Sequence, residues 1–558
     1  MTIHENELVF VPLGGSGEIG MNANLYHFKD RWLMVDLGIS FPDDSLPGVD
    51  VILPDLTFIE ARKNKLEAII LTHAHEDHFG AIPYLWERLK VPVYGTAFTL
   101  ALLRRKLSEA RIDVSIPLHE LKYNTGYQFG PFSLELVSLT HSIPDPAALV
   151  LRTDAGNILH TGDWKFDETP TLGNDTDRAR LKEIGDEGIM ALVGDSTNAM
   201  VEGRTPSEAV AQKGLTEAIA EAKHAVAVTL FASNVARIKS IIAAAQANGR
   251  SVCVAGRALT RTISAAKEVG YLKDIPDFVP ETEANLIPRE NLVIICTGSQ
   301  GETRAAMARI ANGTHETLSL VPGDTVIYSS RQIPGNEPAI ARIQDMIVRR
   351  GIHLITDDDK PVHVSGHPAR DELIEMYSLV RPKIAVPVHG TARHLLAHAK
   401  LAEGCQVSQT LIPNNGDIIT FIDGEADIIG NAPVGALTHE GGEIVDIQSD
   451  FLRSRRRMLW NGTITASVVL TASGELVLAP QVSQSGICGA DQADGLLADA
   501  SLRIEDAIDN LSDTAVLADD AVQQAVISAV RSLVRTRFRL RPTVHVHIMR
   551  SDDKELSA

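Results

Sequence analysis

The stretch Leu71-Thr72-His73-Ala74-His75-Glu76-Asp77-His78-Phe79-Gly80-Ala81 decides how this chain is read. His73, His75, Asp77 and His78 are four potential metal ligands within six residues, directly after the apolar run 66–71. In an extended segment side chains alternate, so His73 and His75 face one side and Asp77 is expected to follow them. His78 adjoins Asp77 and must face elsewhere, which suits a second metal close to the first. Neutral imidazoles with a carboxylate suit zinc or a similar divalent ion. A polar loop rich in histidine is the plainer alternative. With 19 histidines in 558 residues, this spacing after an apolar strand argues for a metal pair.

The length predicts about three or four domains. Hydrophobic residues make up 44% and charged residues 22%, as in a soluble globular protein with more than one core. The N-terminus Met1-Thr2-Ile3-His4 shows no signal-peptide pattern, and no apolar run approaches a membrane span. Cysteines 253, 296, 405 and 488 form no CxxC pair and read as buried thiols of a reducing compartment, so the cytoplasm is the expected location. A net charge of −20 excludes a protein that coats nucleic acid nonspecifically. It leaves room for a nuclease, because a groove's local field governs binding.

The first 200 or so residues read as short strands with short helices. Gly15-Ser16-Gly17-Glu18-Ile19-Gly20 matches GxGxxG, but no helix follows. A further apolar strand and a Lys29-Asp30 turn do, so the stretch reads as a hairpin and not as a dinucleotide site. From 208 to 350 helices and strands alternate, the pattern of a parallel sheet flanked by helices. Residues 351–450 return to short strands and isolated histidines. Arg453-Ser454-Arg455-Arg456-Arg457 reads as a basic linker, spanning 451–465. A small α+β domain over 466–558 follows, with a hairpin (466–470 with 476–481), two helices and a last strand.

Further ligands are expected at strand ends, where loops carry function. Asp36, His141, Asp163 and His389 each close an apolar run. Singly, each is more simply structural; beside the first cluster they gain weight as a set.

In this order the residues resemble the metallo-β-lactamase fold: Asp36, then His73-x-His75-x-Asp77-His78, then His141, then Asp163. The inserted region resembles the β-CASP nuclease branch through Gly194-Asp195-Ser196-Thr197-Asn198, Val364-Ser365-Gly366-His367 and Pro387-Val388-His389-Gly390. Within that branch the chain is similar to the bacterial ribonuclease J family. Pro12 to Gly20, Gly162 to Asp167, Phe231 to Val235 and Thr297 to Glu302 carry this further likeness, which covers essentially the whole chain. One departure is Thr391, where the family often has Glu after the His-Gly pair.

The resemblance implies an α/β architecture: a metallo-β-lactamase αββα sandwich (1–207 and 351–450), an inserted β-CASP domain (208–350) and the small C-terminal domain. It implies one zinc on His73, His75 and His141 and another on Asp77, His78 and His389, with Asp163 bridging. Manganese and magnesium are alternative ions, and a structural calcium near Asp50 is a weaker implication. A hydroxide shared by ions ~3.5–4 Å apart would attack the phosphodiester. Asp36 would orient ligands from behind, and Asp195 with His367 would act near the leaving oxygen. Ser233, Asn234 and Val235 with Val364, Ser365, Gly366, His367 and Pro368 would hold a 5′-monophosphate, helped by a helix N-terminus at Asn234.

The implied activity is 5′→3′ exonuclease action on monophosphorylated single-stranded RNA, with endonuclease action, in RNA decay and maturation, by a homodimer or homotetramer. Arg257, Arg304 and Arg331 at strand ends, and Arg531, Arg535, Arg537, Arg539 and Arg541, are weaker candidates for RNA contact. Two other classes stand beside this. One is a different hydrolase of the same fold, acting on DNA or on a small ester or thioester. The other is a non-catalytic RNA-binding subunit, disfavoured because every expected ligand is present.

Overall fold

Alternation along the strands builds the centre of the molecule. In Leu8–Gly14, Leu8 and Phe10 face one way, and Tyr26 and Phe28 of Ala23–Phe28 and Leu33 and Val35 of Arg31–Val35 join them. They meet Leu134, Leu136, Leu149, Leu151, Ile158, Val193, Ile384 and Val386 of an opposing sheet in one buried cluster. Such period-two burial from two sheets makes a sandwich. The structure, a computed structural model, describes residues 4–43, 45–110 and 115–551; Met1, Thr2 and Ile3 of the N-terminal reading lie outside these.

The first sheet has eight strands, ordered Glu425–Asn431, Asp417–Ile422, Leu8–Gly14, Ala23–Phe28, Arg31–Val35, Leu66–Ile70, Val93–Gly95 and Leu118–Glu120. The second has seven: Gln409–Thr410, Ile384–Val388, Ala191–Asp195, Gly156–His160, Ala147–Thr153, Phe132–Ser138 and Gly126–Phe129. Helices close both faces. Ala97–Glu109 packs on the first sheet, and Arg178–Glu187, Arg370–Val380 and Ala392–Gly404 cover the outer face of the second. After the GxGxxG stretch, Ala23–Phe28 turns at Lys29-Asp30 into antiparallel Arg31–Val35, the hairpin expected there. Within the stretch, Ser16-Gly17 pairs with Gly390-Thr391, so the loop braces His389.

Between Asp195 and Ile384 the chain inserts a parallel sheet in the order Ser251–Ala255, Leu292–Cys296, Val226–Thr229, Thr325–Tyr328 and His353–Ile355. The last strand lies beyond the boundary drawn at 350: His353 pairs with Thr325, so the inserted sheet takes one strand more than its sequence rhythm suggested. These elements belong to one compact unit, residues 1–41 and 51–439.

A second unit comprises residues 42–50 and 440–558. Here the basic segment is no linker. Asp450–Asn461 is a helix whose N-cap Ser449 accepts a hydrogen bond from the Leu452 N–H. Strand Thr463–Thr471 then pairs antiparallel with Gln481–Ser485 and parallel with Thr543–Ser551. The expected partner 476–481 is borne out at its ends and runs further. Leu476 bridges Leu470, and the Val477 N–H donates to the Val469 carbonyl at 2.9 Å. Pro480 has no N–H to give the ladder, and regular pairing resumes over Gln481–Ser485. Val522, Val526, Val530 and Val534 form an i, i+4 stripe on helix Asp519–Phe538 and pack with Ile464, Ala466, Val468 and Leu470.

Candidate metal centre

Strand Leu66–Ile70 delivers Thr72 and His73 to the rim of the first sheet. The backbone then turns into a short helix, Glu76–Phe79, so Asp77 does not continue an extended alternation after His75. This turn separates two ligand sets. Ligand atoms of His73, His75, His141 and Asp163 lie within 4.8 Å of one another, and so do those of Asp77, His78, Asp163 and His389. Asp163 is common to both. A third group, Asp163, Asp195, His367 and His389, adjoins them.

The inner nitrogens converge while the outer ones are held. His73 Nε2 lies 3.0 Å from His75 Nδ1, and His141 Nε2 lies 3.1 Å from the same atom. Behind the cluster, His141 Nδ1–H donates to the Gly366 carbonyl at 2.6 Å, and His78 Nδ1–H donates to Asp36 Oδ2 at 2.7 Å. Those outer bonds hold the Nδ1 proton and leave Nε2 as the nitrogen that faces inward, the orientation of ligating imidazoles. Asp36 is fully buried and also accepts from the Thr72 N–H and Oγ1, each at 2.8 Å. Both Asp36 (φ +64°) and His389 (φ +51°) adopt the left-handed conformation directly after strands, a strain that clusters at functional sites.

Close approach requires glycine at two points. A Cβ on Gly38 would meet the Asp77 carbonyl oxygen at 1.7 Å, and one on Gly366 would meet His141 Nδ1 at 2.7 Å.

Electrostatics divide the centre. Burial pushes His75 down to about 4 and holds His73 and His141 well below the usual histidine range, so all three are neutral. Burial also opposes the charged form of His78, but Asp163, Asp77 and Asp36 overcome it and raise His78 to about 10. Asp163 is buried, yet His389 and His78 hold its carboxyl well below the ordinary range. Its Oδ1 lies 3.1 Å from His389 Nδ1 without the alignment of a hydrogen bond, and has no hydrogen-bond partner. A buried carboxylate with one oxygen left open, shared by two ligand sets whose imidazole nitrogens converge, fits a divalent cation.

His367 Nδ1 lies 2.8 Å from Asp195 Oδ2, and Asp195 Oδ1 accepts from Thr197 N and Oγ1 at 2.8 and 2.7 Å. The turn chemistry read at Asp195 and its pairing with His367 therefore coexist. Asn234 caps helix Val235–Ala247, accepting from the Arg237 N–H at 2.8 Å. Ser365 Oγ accepts from the His367 N–H at 3.2 Å. Val364 and Pro368 flank this loop.

Several residues that sequence reasoning missed hold these loops. Arg237 is fully buried, pairs with Glu208 through Nε (2.5 Å) and Nη2 (2.9 Å), and donates to the Val362 carbonyl. It thus ties the Ser233–Val235 segment to the one before Val364. The signal was present: an arginine on the apolar face shared by Val235, Ile238 and Ile241. Asn198 joins Ser365 and His367. Thr391 caps helix Ala392–Gly404, its Oγ1 3.0 Å from His394 Nδ1.

Asp50 and the C-terminal arginines belong to the second unit. Asp50 is exposed in the second unit and, among the described residues, joins none of the three ligand groups. The cation beside that stretch is Arg455, donating to the Pro47 carbonyl at 3.2 Å and to Glu440 at 2.8 Å. Of the C-terminal arginines, Arg537 pairs with Asp499 and Arg531 donates to the Pro542 carbonyl. No helix among the described residues is long and apolar enough to cross a membrane.

Comparison with known proteins follows the same division. Residues 18–205 match the metallo-β-lactamase superfamily, 223–347 the ribonuclease J β-CASP domain, 360–411 a Zn-dependent metallo-hydrolase RNA specificity domain and 450–551 the ribonuclease J C-terminal domain. The chain is 43% identical to ribonuclease J of Sinorhizobium meliloti, covering 98% of this chain and 97% of that one. It is 34% identical to ribonuclease J2 of Bacillus subtilis, over 97% and 98% of the two chains. A solved structure of a protein of unknown function from Enterococcus faecalis V583 covers 74% of this chain and 100% of its own, with a TM-score of 0.52 at 18% identity, a likeness of fold.

Proposed function

We propose, because the chain belongs to the ribonuclease J family, that it is a metal-dependent ribonuclease that trims RNA 5′→3′ from monophosphorylated ends and also cuts internally. The observation that carries this reading is the pair of buried ligand sets sharing Asp163, set beside the Ser365–His367 loop through the His141–Gly366 bond. In this reading His73, His75 and His141 hold one zinc, Asp77, His78 and His389 hold a second, and Asp163 serves both. When bound, the ions supply Lewis-acid stabilisation of phosphate charge and acidify water.

The protein's own groups do the rest. Asp36 and the Gly366 carbonyl keep His78 and His141 in their ligating tautomers. Asp195 holds the Nδ1 proton of His367, which leaves the Nε2 proton for the departing oxygen of the cleaved bond. Ser233, Asn234 and Val235, with residues Val364 to Pro368, take the terminal 5′-phosphate, and the helix N-terminus at Asn234 favours that anion. A monophosphate held a fixed distance from the metals sets the register of cleavage, and a triphosphate fits poorly.

Self-association as a dimer or tetramer belongs to the same reading, supported by the exposed Leu459, Trp460, Leu478 and Met549 in the second unit. A reducing cytoplasm does too, supported by four free cysteines. The test compares 3′-labelled RNAs of one sequence carrying either a 5′-monophosphate or a 5′-triphosphate. Faster, stepwise shortening of the monophosphate form is expected. Equal rates would remove end sensing, and no cleavage of either would remove the ribonuclease reading.

A further inference from the structure

Open parallel sheets bind ligands at the carboxyl ends of their strands. Arg257, Arg304 and Arg331 all stand at that edge of the inserted sheet, after Ser251–Ala255, Leu292–Cys296 and Thr325–Tyr328. Arg331 is the one tied to the loops around the metal centre. Its Nη1 donates to Asn198 Oδ1 at 2.7 Å. Asn198 Nδ2 in turn donates to Ser365 Oγ at 2.9 Å and to the His367 carbonyl at 3.1 Å. At the other end, Gln300 Nε2 donates to the Arg331 carbonyl at 2.8 Å. The guanidinium is therefore held one side chain away from Ser365 and His367 while its backbone is anchored in the inserted domain.

Arg331 differs from the buried or half-buried arginines that build this domain through carboxylates, and from Arg350, whose guanidinium is used up on three backbone carbonyls. Arg237 and Arg289 each meet a carboxylate. Arg331 is exposed and, among the described residues, enters no ion pair, although the chain carries a net charge of −20. Asn198 takes one of the five N–H donors a guanidinium offers. An amide oxygen needs no positive charge to be satisfied, so a clamp alone does not explain an arginine here. The charge is felt locally: His363 is held well below the usual histidine range by burial first, then by Arg237 and Arg331.

We propose that Arg331 holds a backbone phosphate of the bound RNA beside the Ser365–His367 loop, with Asn198 orienting its fork. A planar guanidinium takes two phosphate oxygens at once, and does so without reading base sequence. This inference rests on the ribonuclease reading above and deepens it: the inserted domain contributes a cation that places the strand next to the metals.

The salt dependence of binding separates a phosphate contact from a structural clamp. For single strands each phosphate contact contributes about −0.7 to the slope of log affinity against log salt. The probe is a fluorescent, 5′-monophosphorylated 2′-O-methyl RNA, followed by anisotropy on the full-length protein, as wild type, Arg331→Gln and Arg331→Lys. Arg331→Gln is expected to bind more weakly and to flatten the slope by about 0.7, so its affinity loss between about 50 and 200 mM salt is roughly 2.6-fold smaller than that of the wild type. Arg331→Lys keeps the charge and is expected to keep the slope while losing part of the affinity. Weaker binding with an unchanged slope in Arg331→Gln would make the residue a clamp and overturn the proposal, as would unchanged binding. If the wild type itself fails to bind the RNA, the ribonuclease reading falls first, and this inference with it.

Discussion

Asp36 shows how one buried carboxylate sets the chemistry of a residue 42 positions away: its Oδ2 takes the Nδ1 proton of His78 at 2.7 Å. Asp36→Asn keeps the shape but lets the amide present a donor to that nitrogen. Such changes behind a metal ligand cost about 10–100-fold in metal affinity or activity, and metal content after dialysis against graded chelator should show a loss in that range. Gly366→Ala places a methyl 2.7 Å from His141 Nδ1. The variant should fold, as judged by its unfolding midpoint, yet lose most RNA cleavage, because His141 and the Gly366 carbonyl must part. At this scale the sequence was most legible where chemistry is local. His73 to His78 announce themselves by spacing, and Asp163 and His389 by standing at strand ends. Burial of Arg237 was legible from its place on an apolar helix face, but its bond to Val362 and that of Asn198 to Ser365 were not, since neither residue type carries a sign of partners more than 100 residues away.

At the scale of elements, the buried Arg237–Glu208 pair joins helix Val235–Ala247 to helix Glu208–Glu221. Removing one partner strands the other charge, at about 3–5 kcal/mol. Arg237→Met should therefore lower the stability of the first unit by that order in denaturant unfolding. Combining it with Glu208→Leu should recover part of the loss, because no charge is then left alone. On the second sheet, Glu135 receives Arg180 at 2.7 and 2.9 Å and Arg152 at 2.8 Å. Hydrogen bonds from Arg180, then the Arg152 guanidinium beside it, hold its carboxyl below the usual 4.5 against the opposing effect of burial. A depressed folded value means stability present above about pH 4.5 and lost as pH falls toward the folded value. Urea midpoints measured from pH 7 down to pH 3 should fall less steeply for Glu135→Gln, which starts lower at neutral pH. Periodicity found most strands and helices of this unit. It misread 451–465, where a run of arginines looks like a linker, although Ser449 and Asp450 supply a helix start. It also ended the hairpin partner too early, since pairing begins at Leu476 and Val477, is interrupted at Pro480 for want of a ladder donor, and continues over Gln481–Ser485.

For the whole molecule, the division of labour is between a sandwich that holds ligands and an inserted sheet whose carboxyl edge meets them. The composition could exclude a protein coated in positive charge, and the order of motifs could place it in a family. Neither could say that Asn198 and Arg331 link the two domains, because that depends on which loops fold together. On the proposed reading, the two ligand sets sharing Asp163 perform metal-dependent RNA hydrolysis. Cleavage of one 5′-monophosphorylated RNA by the wild-type protein, by the chelated protein with and without zinc or manganese restored, and by Asp163→Asn tests it most directly. Chelation should abolish cleavage, a divalent ion should restore it, and Asp163→Asn should remain folded but inactive with either ion. Undiminished cleavage after chelation, or by Asp163→Asn, would contradict that reading.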